Sequence, residues 1–362
     1  MNTTAVLVFD ILLVLSLLSL AVATLATRDA HRSVILFMAF GLVLALAWGR
    51  LMAPDVALAE AAIGAGLSGA LLLAAVREQP RQTLTADTNA VHSGNDAGLK
   101  VILQSVVTLL CVGLAATLLW ALAHALQSAP SNALAQAVQE NLATSGVSNP
   151  VTAVLLNFRA YDTLLELAVL LTAILGIFAL GPARPGYRSA GPVFDSLAHW
   201  LVPVLILTAG YLLWVGAQAP GGAFQAGAIL AAAGVVLQLS GQRTLGLPQE
   251  RTLHIVIAAG VGMFLLVGLS LLFLGRPFLG YPPAWASALI LLIETAAMLA
   301  IAATLALAFL GGRPQSPRLN ATGEKPAALS TGTLRAAMHP VRSGTDADTN
   351  SGYRNSSNEQ KQ

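Results

Sequence analysis

Ionisable side chains inside long apolar stretches are the residues of this sequence that could do chemistry. Glu60 lies one turn into a run rich in Ala, Gly and Leu, where helix capping cannot explain it. Glu294 lies in another run, where it could bind an ion or accept a hydrogen bond from a neighbouring helix. A charge in hydrocarbon is costly, so each carboxylate must face protein or water. Both are candidates for binding an exchangeable proton or monovalent cation.

Three further charged residues follow one another at helical spacing. Asp162 and Glu166 are four residues apart, and Arg159 precedes Asp162 by three, so a helix places all three on one face. Two carboxylates beside one arginine can share a proton or cation while limiting the charge left in a low dielectric. The alternative is a structural ion pair between Arg159 and Asp162. Because that pair leaves Glu166 unpaired, we favour an ion or proton path.

Asp55 is a weaker candidate because it lies at the start of an apolar run. Pro54 and Asp55 together are typical of a helix start. Asp55 therefore either caps that helix or belongs to the same ion path as Glu60.

A loop near residue 220 combines proline and glycine between two apolar runs. Its glycines allow tight turns and close helix approach, and non-helical backbone at membrane depth must be satisfied by protein or water. A plain external turn would explain the glycines but not the two flanking glutamines. The candidate loop residues are Gln218, Pro220, Gly221, Gly222, Phe224, Gln225 and Gly227.

Composition predicts that membrane-spanning helices position all of these residues. Apolar residues make up 56% of the chain and charged residues 10%, against roughly 25% charged in soluble domains. Each span needs about 20 apolar residues. We predict an all-α, polytopic integral membrane helical bundle with about nine transmembrane helices. The apolar runs are 5–26, 33–49, 56–76, 100–126, 150–180, 196–216, 225–241, 254–274 and 285–311.

The basic residues predict the orientation of these helices. Nine Lys and Arg side chains lie in the odd-numbered connections and two in the even-numbered ones. Because basic residues concentrate in cytoplasmic loops, the N-terminus is predicted outside and the C-terminus in the cytoplasm.

The run 150–180 permits two arrangements. One continuous helix would be about 45 Å long and would place Asp162 and Glu166 near its centre. Alternatively, residues 150–158 form a short in-plane segment, the span begins near Asp162, and the carboxylates lie near the outer face.

Several classes of function have no support in the sequence. The single cysteine, Cys111, offers neither a disulfide nor a metal cluster. No nucleotide-binding loop or nucleophile–base arrangement occurs, and the net charge of +2 does not indicate nucleic-acid binding. We therefore expect a protein that is not an enzyme and that has no metal, no cofactor and no nucleic-acid partner.

Three stretches carry a resemblance to a known family. Residues 219–227, Ala-Pro-Gly-Gly-Ala-Phe-Gln-Ala-Gly, resemble the B subunit of the Mrp-type multisubunit cation/proton antiporters. Residues 54–61 and 157–166 look like the carboxy-terminal part of the large A subunit. The same modules occur as separate small subunits in membrane-bound hydrogenases related to respiratory complex I. The resemblance covers about residues 5–311.

The resemblance implies a natural fusion of several modules. Residues 1–78 form a three-helix module resembling part of the A subunit, and 99–182 a two-helix module resembling its end. Residues 183–312 form a four-helix module resembling the B subunit. A cytoplasmic linker at 79–98 and a disordered cytoplasmic tail at 313–362 complete the predicted organisation.

The implied function is that of a membrane subunit of a multisubunit Na⁺/H⁺ antiporter in a prokaryotic inner membrane. Its implied partners are the lipid bilayer, Na⁺, H⁺, and the large proton-channel-like and small subunits of the complex. One alternative is an ion-translocating subunit of a hydrogenase or another energy-converting complex, and another is a structural scaffold.

The sequence departs from the family pattern in two ways. Ala217 stands where the family's loop usually has a histidine, and Ala223 stands where it has a third glycine. The chain of membrane lysines found in the large subunits is also absent, because Lys100 is the only lysine before Lys325. The chain therefore cannot be a complete proton pump by that mechanism.

Overall fold

The regular structure of the chain is helical wherever it is described. The computed structural model describes residues 3–78, 95–127, 133–180, 191–240 and 250–311. The α-helices are α1 (Thr3–Ala26), α2 (Ala30–Arg50), α3 (Pro54–Ala59), α4 (Ser68–Glu78), α5 (Asn95–Gln127), α6 (Ala133–Asn141), α7 (Pro150–Ala153), α8 (Ala160–Ala179), α9 (Pro192–Val215), α10 (Ala223–Leu239), α11 (Glu250–Phe273) and α12 (Ala286–Phe309). A π-helical stretch, Glu60–Leu67, joins α3 to α4, and another, Val154–Phe158, follows α7.

The predicted polytopic helical bundle is confirmed. Eight helices in the described ranges are long and apolar enough to span a membrane, and the segment Pro54–Val76 counts as one of them. The remaining predicted span, at 225–241, corresponds to α10, an apolar helix of only 17 residues. The orientation of the termini stays a prediction.

Two predicted non-membrane segments lie largely or wholly outside the described residues. The tail at 313–362 lies wholly outside them, as does most of the linker at 79–98. The end of the predicted linker is helical, because α5 begins at Asn95.

Helix starts follow local side-chain chemistry. Asp29 caps α2, and its carboxylate accepts hydrogen bonds from the backbone N–H groups of His31 and Arg32. Asn149 caps α7 in the same way, because its side-chain oxygen accepts a hydrogen bond from the Val151 backbone N–H. Pro150 occupies the first helical position.

The run 150–180 is not one continuous helix. Arg159, with φ −130° and ψ 35°, interrupts it, and α8 begins at Ala160. The Thr163 hydroxyl donates to the Leu155 carbonyl at 2.6 Å, which satisfies an acceptor at the interruption. The continuous-helix alternative is therefore wrong, and the span begins close to Asp162.

Helix α12 forms the centre of the bundle. It packs against α8, α9, α10 and α11 and also contacts α4. Its large buried side chains include Ile290, Ile293, Ile301 and Leu307. Small residues let α10 approach it closely: a Cβ added to Gly227 would lie 2.8 Å from Cγ2 of Ile301.

An ion pair joins the first two helices. Arg50 at the end of α2 donates through Nε and Nη2 to the two carboxylate oxygens of Asp10 in α1, at 2.8 and 3.0 Å. Both side chains are partly exposed. This ion pair therefore explains how an acidic residue is tolerated within the first span.

Helix α5 differs from the central helices. Every residue from 102 to 127, including Cys111, is exposed in this chain.

We predict that Gly227→Leu destabilises the bundle by about 1–3 kcal/mol, because the added side chain must displace Ile301 and the Met298 carbonyl. Thermal unfolding of the purified chain in detergent measures the effect. Gly210→Leu is the matched control, since Gly210 also lies within a helix but its Cβ position has nothing within 4 Å. Equal melting temperatures for the two variants would contradict the prediction.

Candidate functional site

A cavity of about 240 Å³ lies where α3, α7, α10 and α12 meet. Most of its wall is apolar, and its polar groups converge from segments distant in sequence. This combination is typical of ligand-binding sites in proteins. The polar and glycine residues that line it are Asp55, Thr152, Thr163, Gly221, Gly222, Gln225 and Glu294.

The loop before α10 is folded tightly against the end of α9. The Gly222 N–H donates to the Leu212 carbonyl at 3.0 Å. A Cβ on Gly221 would lie 2.5 Å from that same oxygen, and Gly222 has a φ of 109°. Glycine is required at both positions, at the first by space and at the second by conformation. The predicted tight turn therefore forms, and it forms one wall of the cavity.

Asp55 connects α3 to this loop. Its Oδ1 accepts hydrogen bonds from the Gly221 N–H at 3.2 Å and from the Asn149 side-chain amide at 3.4 Å. The Gln225 side-chain amide donates to the Asp55 backbone carbonyl at 3.1 Å. The N-cap of α3 is Ala53, so the alternative that Asp55 caps its own helix is wrong.

The segment before α7 is held to the same loop by backbone carbonyls. The N–H groups of Ser148 and Asn149 donate to the Ala217 carbonyl at 2.9 and 3.1 Å. The Thr152 hydroxyl donates to the Gly216 carbonyl at 2.6 Å. Position 217 thus contributes its main chain to the structure, although it lacks the family's histidine side chain.

Glu294 is the most deeply buried carboxylate of the described residues, with only 2% of its surface exposed. It projects from α12 toward the start of α10, where the Ala223 backbone N–H interacts with its carboxylate. The positive end of a helix dipole favours a negative charge at this position. Its Oε2 is buried and has no hydrogen-bond partner in the described part of the chain.

Glu294 also lines a second, smaller cavity of about 90 Å³. The polar residues there include Gln218 and Ser287. Among the described residues that line either cavity there is no Lys, Arg or His. Glu294 therefore lines two cavities, and neither has a basic side chain among its described lining residues.

The predicted site residues divide into separate groups. Asp55, Glu294 and most of the loop come together at the cavities, whereas Pro220 and Gly227 line neither of them. Glu60 begins the first π-helical stretch and is partly buried, but it does not line the cavity either. Its predicted role in an ion path stays a prediction.

The charged face of α8 points away from the cavity. Arg159 Nη2 and Asp162 Oδ2 form an ion pair at 2.6 Å, the structural alternative considered above. Glu166 follows on the exposed side of the same helix. The core side of α8 is formed instead by Thr163, Leu164 and Leu167.

Thr152, Thr163 and Asn149 were not predicted as site residues. The Asn-Pro pair at 149–150 does indicate a helix start, which α7 confirms. Thr152 precedes the interruption at Arg159 and Thr163 follows it. Because the helix is interrupted there, both threonines line the larger cavity.

Two family models match separate parts of this chain. The model for the D subunit of MBH, MbhD, matches residues 15–81. The model described as a domain related to the MnhB subunit of Na⁺/H⁺ antiporter matches residues 193–313. The cavity lies between the two regions, because Asp55 belongs to the first and Glu294 to the second.

Two relatives show the same similarity. The chain is 30% identical over 173 residues to the A subunit of the Na⁺/H⁺ antiporter of Bacillus subtilis (strain 168), covering 48% of this chain and 20% of the relative. It is 25% identical over 296 residues to a probable K⁺/H⁺ antiporter A/B subunit of Rhizobium meliloti (strain 1021), covering 71% of this chain and 28% of the relative. The chain thus spans under a third of either relative's length.

The fold has a counterpart in a solved structure. A chain of the Mrp complex from Dietzia sp. DQ12-45-1b superimposes with a TM-score of 0.63 at 23% identity. The match covers 84% of this chain and 35% of the other. The predicted resemblance to the end of the A subunit followed by the B subunit is confirmed, whereas the module boundaries stay a prediction.

We predict that Asp55→Ala loosens the loop at 216–222, because the Gly221 N–H loses its acceptor at a cost of about 1 kcal/mol. Hydrogen exchange of the loop peptide should accelerate about fivefold. Asp55→Asn is the matched control, since its amide oxygen can still accept this hydrogen bond. Unchanged exchange in the alanine variant would contradict the role assigned to Asp55.

Proposed function

Because the chain joins an MbhD-type segment to an MnhB-related domain within one helical membrane protein, we propose that it is a membrane subunit of a multisubunit monovalent cation/proton antiporter. The names of both relatives support this function. The chain spans 20% and 28% of the lengths of these two relatives. Its place is a prokaryotic cell membrane, and its role is transport rather than catalysis.

The position of Glu294 is the observation that carries the proposal. Its side chain is almost fully buried, one of its oxygens has no partner in the described ranges, and it lines two cavities. A buried carboxylate with no basic side chain beside it is costly to keep ionised. Binding an exchangeable proton or monovalent cation removes that cost, and release restores it.

The larger cavity supplies a route to this carboxylate. Its volume of about 240 Å³ accommodates several water molecules, and the polar residues in its wall give them hydrogen-bond partners. Water there connects Glu294 to Asp55, which lies at the start of α3. Protons then move between the two carboxylates along hydrogen-bonded water. Glu294 also exchanges protons with the smaller cavity that it lines.

The construction of the cavity supports a site that depends on both matched regions. Asp55 comes from the MbhD-type segment, while Gly221, Gln225 and Glu294 come from the MnhB-related domain. Hydrogen bonds from Gly221 and Gln225 to Asp55 hold these two parts together. A fused chain keeps the two halves of such a site in a fixed ratio.

The MbhD match also favours a second candidate, an ion-translocating subunit of a larger energy-converting complex. Purification of the tagged chain from its native membrane, with identification of its partners, separates the two. Antiporter subunits alone support the first function, whereas iron–sulfur or nickel subunits support the second.

We predict that Glu294→Gln lowers cation-driven proton movement by at least about tenfold, because glutamine cannot bind and release a proton. The measurement is dye-reported proton release in membrane vesicles that contain the assembled complex, on addition of Na⁺ or K⁺. The complex should assemble normally, since glutamine is close to glutamate in size.

Asp29→Asn is the control for loss of a carboxylate as such. Asp29 lies between α1 and α2, and asparagine preserves the cap it provides. Full antiport in the Glu294→Gln complex would refute the role of this carboxylate.

A further inference from the structure

The outward charged face of α8 is unlike the rest of the spanning surface. We call Arg159, Asp162 and Glu166 the α8 charged stripe. The described contacts of α8 are with α11, α12 and the π-helical stretch before it. In the Arg159–Asp162 pair, the two side chains keep 69% and 44% of their surface exposed, and Glu166 is exposed as well. No described helix covers the stripe.

Asp162 and Glu166 of the stripe lie within a span, and Arg159 directly precedes its first residue. α8 has 20 residues and meets the length and hydropathy expected of a spanning helix. Glu166 lies six residues after Ala160, which is about 9 Å along the helix axis. Large apolar side chains surround it on the exposed side, with Leu165 49% and Val169 67% exposed.

The charges of the stripe do not balance among the residues that the structure describes. Arg159 neutralises Asp162, whereas Glu166 forms no ion pair with any described residue. Lipid cannot compensate a carboxylate at this depth, and Asp162 adds repulsion rather than attraction. A cationic side chain would compensate this carboxylate, and the exposed apolar side chains beside it would pack against the helix that carries that cation.

We propose that the α8 charged stripe docks against a transmembrane helix of another subunit, and that this helix carries a Lys or Arg at the level of Glu166. The cation pairs with Glu166, while Leu165 and Val169 pack against the aliphatic part of the same helix. This surface is separate from the cavity at Glu294. Its occupant is a basic membrane helix and neither lipid nor the start of α5.

Site-directed photocrosslinking tests the occupant directly. A benzophenone amino acid at Val169, one turn beyond Glu166, is introduced into the full chain within the assembled complex. The expected adduct lies in a membrane helix of another subunit, within about one turn of a Lys or Arg. Adducts to lipid alone, to α5 or to helices without a basic residue would overturn the proposal.

Leu175 provides the matched control position on the same helix. It is 56% exposed, and it lies about two and a half turns from Glu166, on the other side of α8. A probe there should not reach the basic helix. The same adduct from both positions would mean that contact is unspecific, which also counts against the proposal.

Charge variants test the ion pair. Glu166→Lys should reduce the partner subunit recovered with the tagged chain by at least about tenfold, because two cations then face each other. Glu166→Gln should reduce it less, and replacing the partner's basic residue by Glu should restore recovery in the Glu166→Lys background. Full recovery with Glu166→Lys, or no rescue, would refute the pairing.

The readouts keep this proposal distinct from the function proposed for the cavity. Loss of recovery with Glu166→Lys but normal transport in Glu294→Gln supports docking and refutes the cavity. The opposite pair of results refutes docking and leaves the cavity supported.

Discussion

The central constraint on this protein is the free-energy cost of a charge in a low-dielectric environment. Each carboxylate that the sequence places within a span must be compensated by a partner, by water or by an exchangeable ion. Asp10 is compensated by Arg50 and Asp162 by Arg159. Glu294 is compensated only partly, by the start of α10, and Glu166 by nothing in the described chain. To Glu294 and Glu166 we assign transport and docking, respectively, and the ion-path role predicted for Glu60 stays a prediction.

The same constraint explains how the cavity is built. Non-helical backbone is tolerated at membrane depth only where its polar groups find partners. The loop before α10 meets this condition because the carbonyls of Leu212, Gly216 and Ala217 accept hydrogen bonds from the loop itself and from residues 148–152. Asp55 adds the acceptor for Gly221. Three distant parts of the chain are thereby fixed around one small cavity.

The proposed antiport needs more groups than the cavity supplies. One buried carboxylate that lines two cavities can hold a proton or cation, but it cannot couple two ion fluxes without further groups. The chain lacks the membrane lysines of the large subunits, and most of α5 and one face of α8 remain exposed. These exposed surfaces agree with the proposed assembly into a larger membrane complex.

The amino-acid sequence by itself determined the class of the protein, since apolar length and scarcity of charge decide whether a helix can span a bilayer. It also predicted a tight turn near residue 220 from the proline and glycines there, and it singled out the carboxylates. The tertiary structure decided which of them share a site. Asp55 and Glu294 line one cavity although 239 positions separate them, whereas Asp162 and Glu166 line neither of the two cavities. Local spacing assigns residues to one helix face, but the packing of that helix against its neighbours decides whether the face is inside or outside.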